Sequence, residues 1–198
     1  MTSERPPKGV LGLRRLLWDL QHRRERFRQL LGVLFSVLVS LMGRPLPEVF
    51  WWGVGGAGLG ILIRLWASGH VKKDRELATD GPYAFVRHPL YVGNILIGLG
   101  FCLASGLWWS YPLFLFFLLA FYPPAIRQED AKLHGLFGNR WEQWSQRTRA
   151  LLPRLTPFER SGVGHWSFNQ SLKANGEPII ALFLLIWLYV LWYKLQLP

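Results

Sequence analysis

The sequence is poor in cysteine and in charge. Cys102 is the single cysteine, so no disulfide can form within the chain. Charged side chains make up 18% of the 198 residues, below the roughly 25% of soluble domains. Acidic residues are outnumbered 12 to 23, giving a formal net charge of +11. Such a balance favours nucleic acid or an anionic membrane as partner. Because the basic segments flank apolar runs and contain no nucleic-acid motif, we expect membrane lipids as partners and no nucleic acid.

The histidines give no sign of a metal site. His22, His70, His134 and His165 are not spaced as metal ligands, so we expect them to be structural and predict no metal.

The N-terminal segment lacks the pattern of a signal peptide. About 28 polar and basic residues precede the first apolar run, and no small-residue cleavage site follows it. We therefore expect no cleaved signal peptide.

Five apolar stretches approach the roughly 20 helical residues that cross a bilayer core of about 30 Å. Arg64 is the one charge inside them, near the end of the second, where it can snorkel. Glycines crowd the second stretch and predict close helix packing, while Pro123 and Pro124 predict a kink or an end in the fourth. The stretches are residues 29–43, 49–67, 89–108, 109–126 and 178–193.

Lysine and arginine are distributed asymmetrically. Residues 1–28 hold eight, 68–88 hold four and 127–177 hold eight, whereas the other side has only Arg44 and Lys194. The positive-inside rule therefore predicts a cytoplasmic N-terminus. We expect a multi-pass protein of a bacterial inner membrane, with its active site on the cytoplasmic face.

The predicted fold is all-α: a polytopic transmembrane helix bundle of about five spans, with a cytoplasmic helical cap. Residues 1–28 form a basic amphipathic segment, 29–153 the core, and 154–198 an extension with the fifth span. Within residues 11–31, leucines and arginines occupy opposite helical faces, which predicts a helix on the membrane surface.

Residues 77–93 carry the most informative pattern, LATDGPYAFVRHPLYVG. Its Asp-Gly-Pro is a turn signal, and Pro89 suits the first turn of a helix. Arg87 and His88 then lie at the mouth of the third span, where a helix N-terminus favours a ligand carboxylate. Tyr91 lies one turn inside, and Gly93 leaves room close to the backbone.

A second charged cluster, Arg127-Gln128-Glu129-Asp130, follows the fourth span. Apolar residues then recur at helical spacing on both sides of Gly138, which predicts a pair of cytoplasmic helices folded against the membrane face. Because the third and fourth spans form a hairpin, the two charged clusters are expected to meet at one end.

In combination these motifs resemble the isoprenylcysteine carboxyl methyltransferases and the related bacterial phospholipid methyltransferases, over roughly residues 50–153. The resemblance implies a pocket for S-adenosylmethionine at the cytoplasmic helix ends and a tunnel for a lipophilic substrate from the bilayer. The chain departs from the family at Asp130, where a second glutamate is usual, and at Trp141, where a tyrosine is usual. The motifs are Thr79-x-Gly81-Pro82-Tyr83, Arg87-His88-Pro89-x-Tyr91-x-Gly93, Glu129-Asp130-x-x-Leu133, Phe137-Gly138-x-x-Trp141 and Leu151-Leu152-Pro153.

Carried over residue by residue, the resemblance implies cofactor contacts at Tyr83, Arg87, His88, Tyr91, Gly93 and Glu129. Glu129 would bind the ammonium, Arg87 or His88 the carboxylate, and the Tyr91 ring would favour the sulfonium. We expect Glu129, Arg127 and His88 to be catalytic. A carboxylate acceptor needs no general base, whereas an amine would need Glu129 or His88.

Two other functions fit the pattern. Membrane sterol reductases have a similar C-terminal half and bind NADPH there, although they usually have more spans before it. A membrane scaffold without a cofactor is the second alternative. The sequence does not set the oligomeric state, and a lipid amine, a lipid carboxylate, or a hydrophobic thiol or phenol all fit as the methyl acceptor.

Overall fold

The computed structural model describes residues 24–71, 76–158, 166–172 and 176–197. In these ranges all regular secondary structure is helical, which confirms the predicted fold class. A 3₁₀ turn lies at Gly81–Ala84 and a single helical turn at Phe168–Gln170. The longer helices are α1 (Arg24–Met42), α2 (Pro47–His70), α3 (Pro89–Ser105), α4 (Ser110–Phe137), α5 (Asn139–Arg147) and α6 (Glu177–Leu195).

Three of these helices, α2, α4 and α6, are long and apolar enough to cross a membrane. Part of α1 (Arg28–Met42) and the whole of α3 are also apolar, but each has at most 17 residues. The count of five spans therefore stays a prediction, whereas a multi-pass helical membrane protein is supported. The predicted surface helix at residues 11–31 lies mostly outside the described residues, and its last part, from Arg24, belongs to α1.

The helices alternate in direction, so that their ends gather in two groups. At one end, the Arg44 amide donates to the Ser105 carbonyl at 2.8 Å. The Lys194 ammonium donates there to the carbonyls of Leu41 and Gly43. The C-terminal ends of α1, α3 and α6 thus meet, which leaves the starts of α3 and α6 and the end of α2 at the opposite end.

Glycine allows α2 and α3 to pack with their backbones in contact. A Cβ atom added to Gly60 would lie 2.6 Å from the Gly93 carbonyl oxygen, and one on Gly100 would lie 2.5 Å from the Ala57 amide nitrogen. Gly55 and Gly58, by contrast, have open space around them. The predicted close packing is therefore present, but it uses only some of the glycines.

The double proline does not end the fourth helix. α4 continues through Pro123 and Pro124 to Phe137, a length of 28 residues, which corrects the expectation that it could stop there. Since prolines donate no hydrogen bond, the carbonyls of Leu119 and Ala120 lose their usual partners four residues later. α5 then follows after Gly138, whose φ is +50°. The predicted cap pair thus exists, with the end of α4 as its first helix.

Candidate active site

The loop before α3 is fixed to the cap by its backbone. The amides of Arg87 and His88 donate to the carbonyls of Arg149 and Ala150, at 2.9 and 3.1 Å. The indole N–H of the buried Trp144 donates to the Tyr83 carbonyl at 3.1 Å. A loop held at both edges in this way presents its side chains in one fixed arrangement.

His88 lies at the N-terminus of α3, with Pro89 in the first turn as predicted. Its side chain is only 3% exposed and lies beside two carboxylates. Nε2 is 3.0 Å from Asp130 Oδ1, and Nδ1 is 3.7 Å from Glu129 Oε2. Arg87 also reaches Asp130, at 3.5 Å. The two charged clusters therefore meet, and Asp130, the departure from the family, contacts both basic residues.

Tyr91 connects α3 to Glu129. Its hydroxyl donates to Glu129 Oε2 at 2.8 Å, and its ring packs on His88 and Tyr122 with centroids 5.4 and 5.3 Å apart. The Glu129 side chain is nevertheless 46% exposed. Its carboxylate is thus positioned by the tyrosine while it stays accessible to a cationic ligand.

Arg28 is a site neighbour that sequence reasoning missed. Its guanidinium carbon lies 4.8 Å from the centroid of the Tyr91 ring and 6.0 Å from that of Tyr122. The sequence alone indicates only a topological role for Arg28, one of the eight basic residues in 1–28, since it precedes the first apolar run and is far from the motifs. In this arrangement it lies over the tyrosine ring that we expected to favour a sulfonium.

Two buried donors at the site have no hydrogen-bond partner among the described residues. They are Nε of Arg87 and Nε1 of Trp141, and the Arg87 guanidinium carbon lies 5.8 Å from the Trp141 ring. A buried donor without an acceptor costs about 1–3 kcal/mol. Both would be satisfied by a ligand that brings an acceptor such as a carboxylate.

Tyr83 is buried below this site. Burial raises the pKa of its phenol far above the ordinary value, and the negative charge of Glu129 raises that pKa further. The phenol is therefore neutral at physiological pH. It can donate a hydrogen bond but does not act as a base.

The structure separates two predicted residues from this group. The space beside Gly93 is filled by α2, because an added Cβ would lie 2.6 Å from Arg64 Cγ. Arg127 is exposed and forms no ion pair within the part of the chain that the structure describes. Their roles at a cofactor stay predictions.

A second polar cluster lies further into the bundle. The Arg64 side chain is only 12% exposed there, which corrects the expectation that it snorkels to the membrane surface. Arg64 of α2 donates from Nε and Nη2 to the two carboxylate oxygens of Glu177, at 2.9 and 2.6 Å. It also donates to the side-chain oxygen of Asn94 on α3. In the described ranges, no group of three or more His, Cys, Asp or Glu is placed to hold a metal.

Residues 59–140 match the family model of the phospholipid methyltransferases. The predicted resemblance is confirmed. The matched stretch holds every predicted site residue as well as Asp130, and Trp141 follows directly after its end, so the methyltransferase motifs coincide with the group of contacts described above. Arg28 and Glu177 lie outside this methyltransferase stretch.

Three curated proteins extend the comparison. The chain is 36% identical over 129 residues to the cobalt-zinc-cadmium resistance protein CzcN of Cupriavidus metallidurans, covering 63% of this chain and 57% of that protein. It is 37% identical over 110 residues to the nickel-cobalt-cadmium resistance protein NccN of Alcaligenes xylosoxydans xylosoxydans, covering 54% and 50%. It is 40% identical over 83 residues to the protein-S-isoprenylcysteine O-methyltransferase of Schizosaccharomyces pombe, covering 42% and 35%.

The aligned region thus spans between about a third and somewhat more than half of these relatives. No solved structure matches the chain. The methyltransferase likeness and the apolar helices together identify an integral membrane protein.

Proposed function

We propose that the protein is an integral membrane methyltransferase that uses S-adenosylmethionine and acts on a lipophilic substrate at the cytoplasmic membrane face. The observation that carries the proposal is the pairing of an accessible carboxylate with buried donors. Glu129 is half exposed, and Arg87 and Trp141 each hold a buried N–H without a partner. A ligand with both an ammonium and a carboxylate complements this set.

The residues present therefore fit the cofactor. Glu129 would bind its ammonium, while Arg87 and Trp141 would bind its carboxylate by charge-assisted and neutral hydrogen bonds. His88 is a positioning residue, because its ring lies between Glu129 and Asp130 and fixes both. S-adenosylmethionine supplies an activated methyl group, so the protein mainly positions the reactants and excludes water.

The acceptor decides whether a proton must be removed. A carboxylate attacks without a base. For an amine, Glu129 is the accessible base, and Tyr91, which donates to it, holds its carboxylate in place. Tyr83 is excluded from this role because its phenol stays protonated.

A lipophilic substrate is favoured by where the site lies. The group of contacts is at the ends of helices whose outer faces carry large exposed apolar side chains, among them Leu115, Phe116 and Leu119 of α4. The relative from Schizosaccharomyces pombe is named for an isoprenylated cysteine as its substrate. The two resistance proteins are named for metals, and their names state no reaction.

The proposal is tested by supplying methyl-radiolabelled S-adenosylmethionine to the protein in liposomes made from total lipids of its source. We expect label in the organic phase after extraction. His88→Ala protein in the same liposomes is the control, and it should label the lipids far less when the cofactor is below saturation. Label that appears only in water-soluble products would contradict a lipophilic substrate while leaving methyl transfer intact.

Orientation is tested with single cysteines in a Cys102→Ser background. Cysteines replacing Arg44 or following Lys194 should react with an impermeant maleimide added outside intact cells, because these residues lie at the end opposite to the site. A cysteine at position 72 should react only after permeabilisation. The reverse pattern would place the site outside the cytoplasm.

A further inference from the structure

Arg28 carries a permanent positive charge beside the site. The proposed binding of the cofactor leaves this charge without a role. It lies partly buried in the first turns of α1, over the rings of Tyr91 and Tyr122. No carboxylate in the described ranges lies within salt-bridge distance of it. Stacking uses the face of a guanidinium and leaves the N–H donors at its edge for a carboxylate or phosphate.

A small cleft begins at the same arginine. Its volume is about 90 Å³, and its walls are Arg28 from α1 and Ala120, Phe121 and Pro124 from α4. Apart from the guanidinium these side chains are apolar.

Exposed apolar side chains on the outer faces of α1 and α4 extend from this cleft along the two helices. Leu34 on α1 is 52% exposed, and Phe116 and Leu119 on α4 are 68% and 64% exposed. One cation followed by an apolar path along two membrane helices matches an amphiphile with one anionic group and a hydrocarbon chain.

The charges of the site indicate that this anion comes from the substrate. In the proposed function the cofactor carboxylate would bind Arg87 and Trp141, whose buried donors need an acceptor. Arg28 instead lies over the Tyr91 ring, on a helix outside the stretch that matches the family. A residue in this place is suited to selecting the substrate rather than to binding the shared cofactor.

We propose that Arg28 binds the anionic group of the lipophilic substrate, a phosphate or a carboxylate, at the head of the cleft between α1 and α4. This inference rests on the proposed function. It makes Arg28 a specificity-determining residue and predicts that neutral and cationic lipids of equal chain length are poor substrates.

The test measures binding to the full chain in a neutral maltoside detergent, followed by its tryptophan fluorescence. The probes are hexadecyl phosphate, hexadecanoate and hexadecanol, and the first two distinguish the kinds of anion. Losing one charge-assisted hydrogen bond should weaken binding roughly ten- to a hundredfold in Arg28→Gln. Arg28→Lys should keep part of the affinity. Arg140→Gln removes an exposed charge from α5 and is the matched control, expected to bind as the wild type does.

S-adenosylhomocysteine is titrated into the same variants. Unchanged affinity in Arg28→Gln supports the inference, whereas a loss equal to that for the anions would assign Arg28 to the cofactor and overturn it. Equal binding of hexadecanol and the anions to the wild type would also overturn it. If the wild type binds no S-adenosylhomocysteine at all, the proposed function fails, and the anion titrations still show whether Arg28 selects an anion.

A second variant tests the cleft without touching the charge. Ala120→Phe should fill the space beside Arg28 and lower the affinity for hexadecyl phosphate, with little change in the affinity for S-adenosylhomocysteine. Wild-type affinity for both ligands in Ala120→Phe would show that the substrate does not use this cleft.

Discussion

Replacing Glu177 by leucine is expected to lower the free energy of unfolding by about 3–5 kcal/mol, because it strands a buried charge. The side chains of Arg64 and Glu177 are 12% and 6% exposed, and they share two hydrogen bonds. Without the carboxylate, the guanidinium keeps only Asn94 as a polar side-chain partner in the described part of the chain.

The matched control is another glutamate in an ion pair. Glu142 lies 2.7 Å from His134, but the two side chains are 49% and 50% exposed. Exposed pairs contribute about 0–1 kcal/mol, so Glu142→Leu should change stability little. The measurement is unfolding in mixed micelles with increasing sodium dodecyl sulfate, followed by circular dichroism. Equal losses for the two variants would show that burial does not determine the strength of the Arg64–Glu177 pair.

The double variant Arg64→Met, Glu177→Leu separates a stranded charge from lost packing. Buried ion pairs replaced by apolar residues of similar volume are often as stable as the original. We therefore expect the double variant to recover most of the loss, apart from the hydrogen bond to Asn94. A double variant as unstable as Glu177→Leu would instead point to a defect in how α6 packs on α2.

Local patterns were sufficient to predict the start of α3 and the meeting of the charged clusters. Proline is favoured in the first turn of a helix, because the N–H that it lacks has no partner there. The pair His88-Pro89 therefore marks the N-terminus of α3. A hairpin of two apolar helices then brings the ends of α3 and α4 together whatever their exact lengths. For these reasons, the contacts between His88 and the pair Glu129-Asp130 follow from two local patterns joined by one hairpin.

Contacts across the bundle could not be predicted in the same way. Arg28 and Glu177 each precede an apolar run, where a charged residue ordinarily marks the membrane boundary. Only packing shows that one lies over Tyr91 and that the other pairs with Arg64, which is 113 residues away. The sequence likewise could not show that α4 continues past two prolines, since either a kink or an end satisfies the missing hydrogen bonds.

Gly93 illustrates a pattern with two possible causes. A glycine in the first turns of a helix leaves space beside the backbone, but its neighbours in sequence do not show what fills that space. The resemblance implies that the cofactor contacts Gly93. In the structure, Arg64 and the Gly60 carbonyl occupy the space beside this glycine. Small residues in membrane helices serve helix packing often enough that this reading is the simpler one.

The cofactor gives the other large expected effect. Glu129→Ala and His88→Ala should each weaken the binding of S-adenosylhomocysteine by about 1.5–3 kcal/mol, the cost of one charge-assisted hydrogen bond, or roughly ten- to a hundredfold. Glu129 would lose its direct contact with the ligand ammonium. His88 acts through Asp130 and Glu129, whose carboxylates it holds at 3.0 and 3.7 Å.

Isothermal titration of the purified protein measures these affinities, and Glu48→Ala is the matched control. Glu48 is an exposed glutamate in the first turn of α2, at the end of the bundle opposite to the site. Circular dichroism of each variant shows that it is folded. The wild type should bind S-adenosylhomocysteine and not NADPH. Binding of NADPH instead would favour the reductase alternative, and binding of neither would favour a scaffold. Wild-type affinity in both Glu129→Ala and His88→Ala would mean that the cofactor site lies elsewhere, since these two residues join the ends of α3 and α4 where we propose that the cofactor binds.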